Sequence, residues 1–323
     1  MKEKILQLLK QASGYVSGEA ISTGLGISRN AVWKHIRTLR EEGYGISSVT
    51  NKGYRLDSVP DILSQAEITD GLSTKRIGQH IYYYEETDST NNRAKQEADV
   101  APDGSAFLAE IQTGGKGRLG RNWSSSPGVG VWTSILLKPD LPPASTVQIT
   151  LLAGLAVCRT VRALSGVQAL IKWPNDVVAE GKKICGILTE MSAEMERVNY
   201  IVCGIGINVN TPSFSEDLQS RAASLYTLTG KTYDRKQVAR RLFEEFEALY
   251  DQFLQDGAEA VLPAYKEYCV TLGKEVSVLS NNETIPGKAI DITPDGCLTV
   301  ETANGRITVN AGEVSVRGIY GYI

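Results

Sequence analysis

Apolar side chains recur at helical spacing near the start of the chain. In KEKILQLLKQ, Ile5, Leu8 and Leu9 stand at positions i, i+3 and i+4, which predicts a helix with one apolar face. A second short helix is predicted in SGEAISTGLG, where Ser17 is the expected N-cap. The segment GLGIS then predicts a tight turn that leads into a third helix.

The third predicted helix runs through RNAVWKHIRTLREEG, between the N-cap Ser28 and the terminating Gly43. Val32, Ile36 and Leu39 share its apolar face, so this helix and the one before it have the pattern of a helix-turn-helix. The polar residues on its outer face are the expected DNA contacts, namely Arg29, Asn30, Lys34 and Arg37.

The next stretch, YGISSVTNKGYRL, alternates as a strand does on either side of a turn at 51–53. This pattern predicts a β-hairpin wing, with Lys52 as a further DNA contact. Residues 1–57 therefore resemble a winged helix-turn-helix domain. A helical protein-interaction module of the same shape is the alternative.

The longer part of the chain alternates strand and helix patterns after a linker near Pro60. HIYYYEETDSTNNRAKQEA predicts a strand and then a helix, with Asp88, Ser89 or Thr90 as N-cap. Further strands are predicted in SAFLAEIQ, GVGVWTSILL, ALIKW, KICGILTEM and NYIVCGIGINVN, and a buried helix in ASTVQITLLAGLAVCRTVRAL. The segment PNDVVAEGK is read as a connection with a hairpin turn at 180–181. An antiparallel or mixed sheet packed with helices, an α+β fold, follows from this order.

Composition is that of an ordinary globular protein, with 42% hydrophobic and 22% charged residues. A length of 323 residues exceeds what one core usually holds, so two or three domains are expected. The five cysteines are scattered without a CxxC pair, which argues for reduced thiols and against a zinc site. The N-terminus lacks the apolar segment of a signal peptide, and ITLLAGLAV is too short to span a bilayer. We therefore expect a cytoplasmic protein without a membrane partner.

Charge is distributed unevenly along the chain. Residues 1–57 contain nine Lys and Arg against five Asp and Glu, a net charge of +4, so the remainder carries −7 of the overall −3. A basic N-terminal module on an acidic body favours nucleic-acid binding by the small part alone.

The stretch TGGKGRLGRNW, residues 113–123, places four glycines beside three cations and an indole. Glycine disfavours a helix or strand interior, so a mobile loop is predicted. Backbone N–H groups flanked by Lys116, Arg118 and Arg121 form an anion cradle, with a solvated basic hairpin tip as the alternative. No Gly-Lys-Ser/Thr follows, so the loop is not a Walker P-loop.

Four ordered motifs resemble those of biotin protein ligases. They are QTGGKGRLGR (112–121), KWPND (172–176), KKICGIL (182–188) and GIGINVN (204–210), with Lys116 standing where that family commonly carries Arg. Together with the helix-turn-helix in front, they resemble the bifunctional ligases that also repress transcription of biotin genes. The tail alternates through short strands with Asn-Asn, Pro-Asp-Gly and Asn-Gly turns and resembles the SH3-like barrel that closes such ligases.

The resemblance implies three domains: a winged helix-turn-helix in residues 1–62, a mixed-sheet α+β ligase domain in 63–270, and an SH3-like β-barrel in 271–323. It also implies that biotin and ATP, with Mg²⁺ accompanying the nucleotide and no protein-only metal site, form biotinyl-5′-AMP, and that a lysine of a biotin carboxyl carrier protein then accepts biotin. Operator DNA and a homodimer formed with biotinyl-AMP are the other implied partners. The alternative is a non-enzymatic helix-turn-helix regulator that senses a small molecule.

Individual roles also follow from the resemblance. The catalytic residues would be Lys183, Arg118 and Asp176, the last orienting or deprotonating the attacking amine. The residues implied to bind biotin are Ser89, Thr90, Asn91, Gln112, Gly115, Lys116, Gly117, Arg118, Trp123, Lys183, Gly186 and Gly204. The residues implied to bind ATP are Lys116, Arg118, Arg121, Asn175, Lys183, Asn208 and Arg317.

Overall fold

A computed structural model of the chain describes residues 1–280, 283–311 and 315–318. The chain separates into two compact units, Met1–Ile62 and Leu63–Ile323. Each unit is described by itself below.

The first unit, all of which is described, is a helix-turn-helix followed by a hairpin. Its elements are α1 (Lys2–Gln11), α2 (Gly18–Leu25), α3 (Arg29–Glu41), β1 (Gly45–Val49) and β2 (Gly53–Ser58). The predicted caps are confirmed: Ser17 Oγ accepts a hydrogen bond from the Ala20 amide at 3.0 Å, and Ser28 Oγ accepts one from the Ala31 amide at 3.2 Å. The predicted wing is the antiparallel pair of β1 and β2.

The apolar face of α1 differs by one position from the prediction. Ile5, Leu6 and Leu9 are buried, whereas Leu8 is only partly buried. Leu6 and Leu9 also stand at helical spacing, at i and i+3, so the sequence pattern alone allows either Leu6 or Leu8 on the apolar face. Packing against the other helices decides between these two residues.

The second unit is built on a mixed seven-stranded sheet, counted over residues 63–280. Its strands are β3 (Ile81–Thr87), β4 (Ala106–Gln112), β5 (Gly130–Leu137), β6 (Leu170–Lys172), β7 (Asp176–Ala179), β8 (Lys182–Ala193) and β9 (Val198–Asn208). Their order is β3-β4-β5-β9-β8-β7-β6, and within those residues the β3–β4 pair is parallel and the other pairs are antiparallel. Every residue of β5 is buried, because helices cover the sheet.

Helices precede, separate and follow these strands. They are α4 (Gln65–Ile68), α5 (Thr90–Gln96), α6 (Thr146–Ser165), α7 (Glu216–Gln219), α8 (Leu225–Thr229), α9 (Arg235–Asp256) and α10 (Ala258–Tyr268). Helix α5 settles the open question of its N-cap, because Ser89 occupies that position, although its side chain makes no capping hydrogen bond there.

Helix α6 is the long apolar helix of the core. The helical stretch Pro143–Ser165 is long and apolar enough, by length and composition, to cross a membrane. The apolar helix is therefore longer than the segment ITLLAGLAV, on which the sequence-based prediction rests. Its most apolar window is 61% buried within the protein, as expected of a helix that packs in a core.

Strand β7 is an element that sequence reasoning missed inside PNDVVAEGK. Val177 and Val178 are buried, and the strand pairs with both β6 and β8. The predicted turn at Glu180 and Gly181 is present, with φ of 49° and 77°. A connection was expected because four residues are too few to show strand periodicity.

The C-terminal part forms an antiparallel sheet of five strands among the described residues. They are β10 (Glu275–Ser280), β11 (Glu283–Ile292), β12 (Leu298–Thr302), β13 (Gly305–Val309) and β14 (Ser315–Gly318), in the order β13-β12-β11-β10-β14. The predicted turns at Pro294–Gly296 and Asn304 are present, and the Asn-Asn turn lies outside the described residues. In the described strands β13 and β14 do not pair, so the sheet has the SH3-like strand pattern without closing as a barrel.

Candidate active site

A cleft of about 1190 Å³ lies in the second unit, over the strands that carry the ligase-like motifs. It brings together most of the residues that the sequence singled out. Those that line it are Ser89, Thr90, Asn91, Gln112, Lys116, Gly117, Arg118, Arg121, Trp123, Asn175, Asp176, Lys183, Gly186, Gly204 and Asn208. Gly115 is a loop neighbour of these residues, and the side chain of Arg317 lies outside the described part of the chain.

The glycine-rich loop, residues 113–123, is folded into a defined conformation beside the cleft. The Trp123 amide donates to the Gly115 carbonyl at 2.8 Å, and the Gly117 amide donates to the Arg121 carbonyl at 2.7 Å. A short 3₁₀ turn at Arg118–Gly120 leaves Leu119 exposed. Whether the loop orders only when a ligand binds stays a prediction.

A buried ion pair holds the two ends of this loop. Arg235 is fully buried and lies 2.8 Å from Oε2 of Glu110, which stands on β4 just before the loop. Beyond the loop, the Gly128 amide donates to the same carboxylate at 3.2 Å, and Arg235 donates to the Gly130 carbonyl at 3.2 Å. Charges out of water need several partners, and these four groups supply them. The pair therefore fixes where the loop leaves and rejoins the sheet.

Positive charge is concentrated near the start of β8. Lys183 Nζ lies 2.5 Å from Oδ1 of Asp176, the first residue of β7, and the two residues stand on the paired strands β8 and β7. Arg118 donates to Oδ1 of Asn175 at 3.0 Å and also to the carbonyl of Ala311. Burial lowers the pKa of the Arg118 guanidinium, which the Asp176 charge partly offsets. These cations are partly withdrawn from water. In such a setting they attract an anionic ligand more strongly than they would in bulk water.

Glycines keep the floor of the cleft low. A Cβ atom on Gly206 would stand 2.6 Å from the indole of Trp123, and one on Gly204 would stand 2.2 Å from Oδ1 of Asn91. Side chains can therefore lie flat on the sheet at these two points only because glycine is present. Lys183 Nζ also lies 5.3 Å from the centroid of the Trp123 ring, which is a cation–π distance.

Polar side chains are linked by hydrogen bonds at the start of α5. Gln112 Oε1 accepts from the Thr90 amide at 2.9 Å, and Gln112 Nε2 donates to Ser125 Oγ at 2.7 Å. Lys116 Nζ donates to Asn92 Oδ1 at 3.1 Å. Strand β4 delivers Gln112 to the same place as Thr90 because β3, which precedes Thr90, runs parallel to β4.

Asn175 and Asn208 are held by main-chain carbonyls. Asn175 Nδ2 donates to Ile187 O at 2.8 Å, and Asn208 Nδ2 donates to Ala223 O at 3.2 Å. Both amides therefore have fixed positions in the cleft. Among the described residues, no group of three or more His, Cys, Asp or Glu side chains could hold a metal ion.

The first unit presents a separate polar face. Arg29, Asn30, Lys34 and Arg37 are exposed on α3, with Arg37 paired to Glu41 at 2.9 Å. Lys52 is exposed in the turn of the wing. Trp33, which is 50% exposed on the same helix, was not among the predicted DNA contacts.

Three segments of the chain match known protein families or domains. Residues 83–208 match the biotin/lipoate A/B protein ligase family, residues 2–55 match a helix-turn-helix (HTH) domain, and residues 271–317 match the biotin protein ligase C-terminal domain. The chain is 40% identical over 320 residues to the bifunctional ligase/repressor BirA of Bacillus subtilis, covering 98% of each chain. It is 34% identical over 238 residues to the biotin--[acetyl-CoA-carboxylase] ligase of Mycobacterium tuberculosis, covering 71% of this chain and 86% of that one.

The fold is also similar to a solved structure. The biotin protein ligase of Aquifex aeolicus, in complex with biotin and ATP, superposes with a TM-score of 0.66 at 32% identity. The match covers 74% of this chain and 99% of the Aquifex chain.

Proposed function

The chain belongs to the family of bifunctional biotin ligase/repressors, and on that premise we propose that it biotinylates a carrier protein and represses biotin genes. In the first reaction a carboxylate oxygen of biotin attacks the α-phosphorus of ATP, and pyrophosphate leaves. A lysine amine of a biotin carboxyl carrier protein then attacks the acyl carbon of biotinyl-5′-AMP, and AMP leaves with formation of an amide.

The observation that carries this proposal is the meeting of Lys183 and Arg118 with Asp176 and Asn175 in one cleft. Adenylation brings a carboxylate and a phosphate, both anionic, to bonding distance. An ammonium between them offsets their repulsion, and this interaction strengthens as charge shifts in the transition state. We assign that role to Lys183, with Arg118, Lys116 and Arg121 closing over the phosphates.

The transfer step needs a deprotonated amine. Asp176 is the carboxylate that lines the cleft beside Lys183, so it is our candidate for orienting the acceptor amine or taking its proton. Once the adenylate has formed, Lys183 can remain with the phosphate of AMP and leave Asp176 to the amine.

The remaining assignments place biotin and ATP along the cleft. Ser89, Thr90 and Gln112 contact the ureido ring, Trp123 covers the acyl chain, and Gly186 and Gly204 leave room for it. Asn175 and Asn208 would hold the nucleotide phosphates and the Mg²⁺ that accompanies ATP. Their amide oxygens suit that hard cation, and the described residues do not form a carboxylate cage of their own.

Repression uses the first unit. The exposed polar residues of α3 enter the DNA major groove, and the wing contacts the backbone. We further propose that the adenylate-bound protein is a homodimer, since two helix-turn-helix units match two operator half-sites. Domains at 1–62, 63–270 and 271–323, a cytoplasmic location and no membrane association complete the proposal.

Biotin-dependent exchange of labelled pyrophosphate into ATP tests the enzymatic part. A ligase catalyses this exchange without an acceptor protein, because adenylation is reversible. A helix-turn-helix regulator that only senses a ligand has no exchange activity. Absence of exchange with biotin, ATP and Mg²⁺ present would favour the sensor.

A further inference from the structure

A chain of hydrogen bonds runs beneath the Thr90 end of the cleft. Ser134 Oγ on β5 lies 2.7 Å from Thr90 Oγ1 and 2.6 Å from Asn91 Oδ1. Asn91 Nδ2 lies 2.8 Å from Oε2 of Glu190 and 3.2 Å from the Leu188 carbonyl. The other oxygen of Glu190 accepts from Lys95 Nζ at 2.8 Å.

Asn91 can adopt one orientation in this chain. A carbonyl oxygen can only accept, and so can an ionised carboxylate, so the group that faces Leu188 O and Glu190 must be the NH₂ of Asn91. Burial works to raise the pKa of Glu190, but the hydrogen bonds from Lys95 and Asn91 outweigh it and hold the pKa below its usual range. Oδ1 of Asn91 therefore faces Ser134 and can only accept.

The hydroxyl hydrogens are then determined one after another. Ser134 has one hydrogen and must give it to Asn91 Oδ1, so Ser134 Oγ can only accept from Thr90. Two hydroxyl oxygens at 2.7 Å need a hydrogen between them, and the hydrogen left for that contact is the one on Thr90. Gln112 Oε1 lies 3.2 Å from Thr90 Oγ1, and it already accepts a hydrogen bond from the Thr90 amide.

We propose that Glu190, Asn91 and Ser134 are positioning residues that fix the Thr90 hydroxyl as a hydrogen-bond acceptor toward the ligand. Thr90 lines the cleft and has only lone pairs left to offer, so it selects a ligand with an N–H group at that point. The inference rests on the proposed function, in which that group is a ureido N–H of biotin. A ligand that presents an oxygen there meets two acceptors face to face and is rejected.

The test is a double-mutant cycle in the full-length protein, with biotin affinity measured by titration calorimetry without ATP. Thr90→Val removes the acceptor, and Ser134→Ala releases the Thr90 hydrogen. Each is expected to weaken biotin binding about tenfold, the usual cost of one lost hydrogen bond. The double variant is expected to bind no more weakly than Thr90→Val alone, because Ser134 acts only through Thr90.

Kinetics and a second ligand separate this role from general loss of structure. Ser134→Ala should raise the KM for biotin, while kcat and the KM for ATP stay within about twofold of wild type. Desthiobiotin keeps the cyclic urea and lacks the sulfur, so its affinity should fall by the same factor as that of biotin. Ser105→Ala, at a buried serine that bonds to the Pro102 carbonyl at 2.7 Å, is the matched control and should leave biotin affinity unchanged.

Three outcomes decide the matter. Additive losses in the double variant, or an unchanged affinity in Ser134→Ala, overturn the inference while wild type still binds biotin. If wild type itself does not bind biotin, the proposed function fails first. Should Ser134→Ala unfold at the assay temperature, Ser134→Cys, of similar volume but with a weak S–H donor, takes its place in the cycle.

Discussion

Lys183 and Asp176 are 24% and 17% exposed, so their contact at 2.5 Å lies mostly out of water. An ammonium in this setting helps a reaction in which two anions meet more than it helps the binding of one anion. The consequence is a separation between rate and affinity that a single substitution can reveal.

Lys183→Ala is expected to lower pyrophosphate exchange by about a hundredfold or more, while biotin affinity changes by less than about tenfold. Rates come from labelled pyrophosphate and affinity from calorimetry. The matched control is Lys182→Ala, the preceding residue of β8, which does not line the cleft and should keep exchange. A near-normal exchange rate in Lys183→Ala would remove this residue from the chemistry.

The residues that sequence reasoning found and those that it missed differ in a physical way. Lys183 and Asp176 were singled out because the motifs KKICGIL and KWPND resemble those of biotin protein ligases. Ser134 stands beside Thr133 inside the buried strand GVWTSILL, and two adjacent hydroxyls there leave no pattern. Its role depends on contacts with α5, an element that is distant from it in sequence. In the sheet, β5 pairs with β9, and Ser134 lies opposite Gly204.

Helix α6 contains one residue that weakens it. Gly154 lies in its middle, and a Cβ atom there would meet Ile171 at 3.6 Å, an ordinary van der Waals distance. Gly154→Ala is therefore expected to stabilise the protein by about 0.5–1 kcal/mol, because alanine loses less backbone entropy in a helix. The free energy of unfolding in urea measures this. A loss of stability would mean that α6 and β6 pack too tightly for one added methyl group.

The glycine-rich loop, residues 113–123, is predicted to order on ligand binding. Its glycines make order costly and its cations repel one another, whereas an adenylate supplies a phosphate for Lys116, Arg118 and Arg121. Trypsin should cleave after these three residues rapidly without ligand, more slowly with biotin, and much more slowly with biotin and MgATP. Mass spectrometry of the fragments identifies the sites. Equal rates in all three conditions would make the loop a solvated tip.

Elements with a clear period or a strong cap were predictable, and those defined by their neighbours were not. The caps Ser17 and Ser28 follow from local chemistry that tertiary structure does not change. Strand β7 exists because β6 and β8 flank it, and four residues have no periodicity of their own. The parallel pairing of β3 with β4 likewise depends on α5 crossing between them.

Charge and function divide along the same line in this protein. The net charge of +4 lies in residues 1–57, within the compact unit Met1–Ile62, and the remainder carries −7. An acidic body repels the DNA backbone, so phosphate contacts must come from the small unit. Operator binding by the full protein should therefore weaken steeply with salt, and Arg29→Ala with Lys34→Ala should reduce that salt dependence.

Removal of residues 1–62 is expected to abolish operator binding and leave biotinylation intact. Leu63–Ile323 is a compact unit by itself, and the Aquifex ligase matches 74% of this chain over 99% of its own length. Transfer of labelled biotin to a carrier protein measures the first activity, and a gel shift with operator DNA measures the second. In the full protein, biotin with ATP should tighten operator binding, since the homodimer proposed for the adenylate-bound protein would engage two half-sites at once. Operator affinity that survives the truncation would place DNA binding on the acidic body and refute the division.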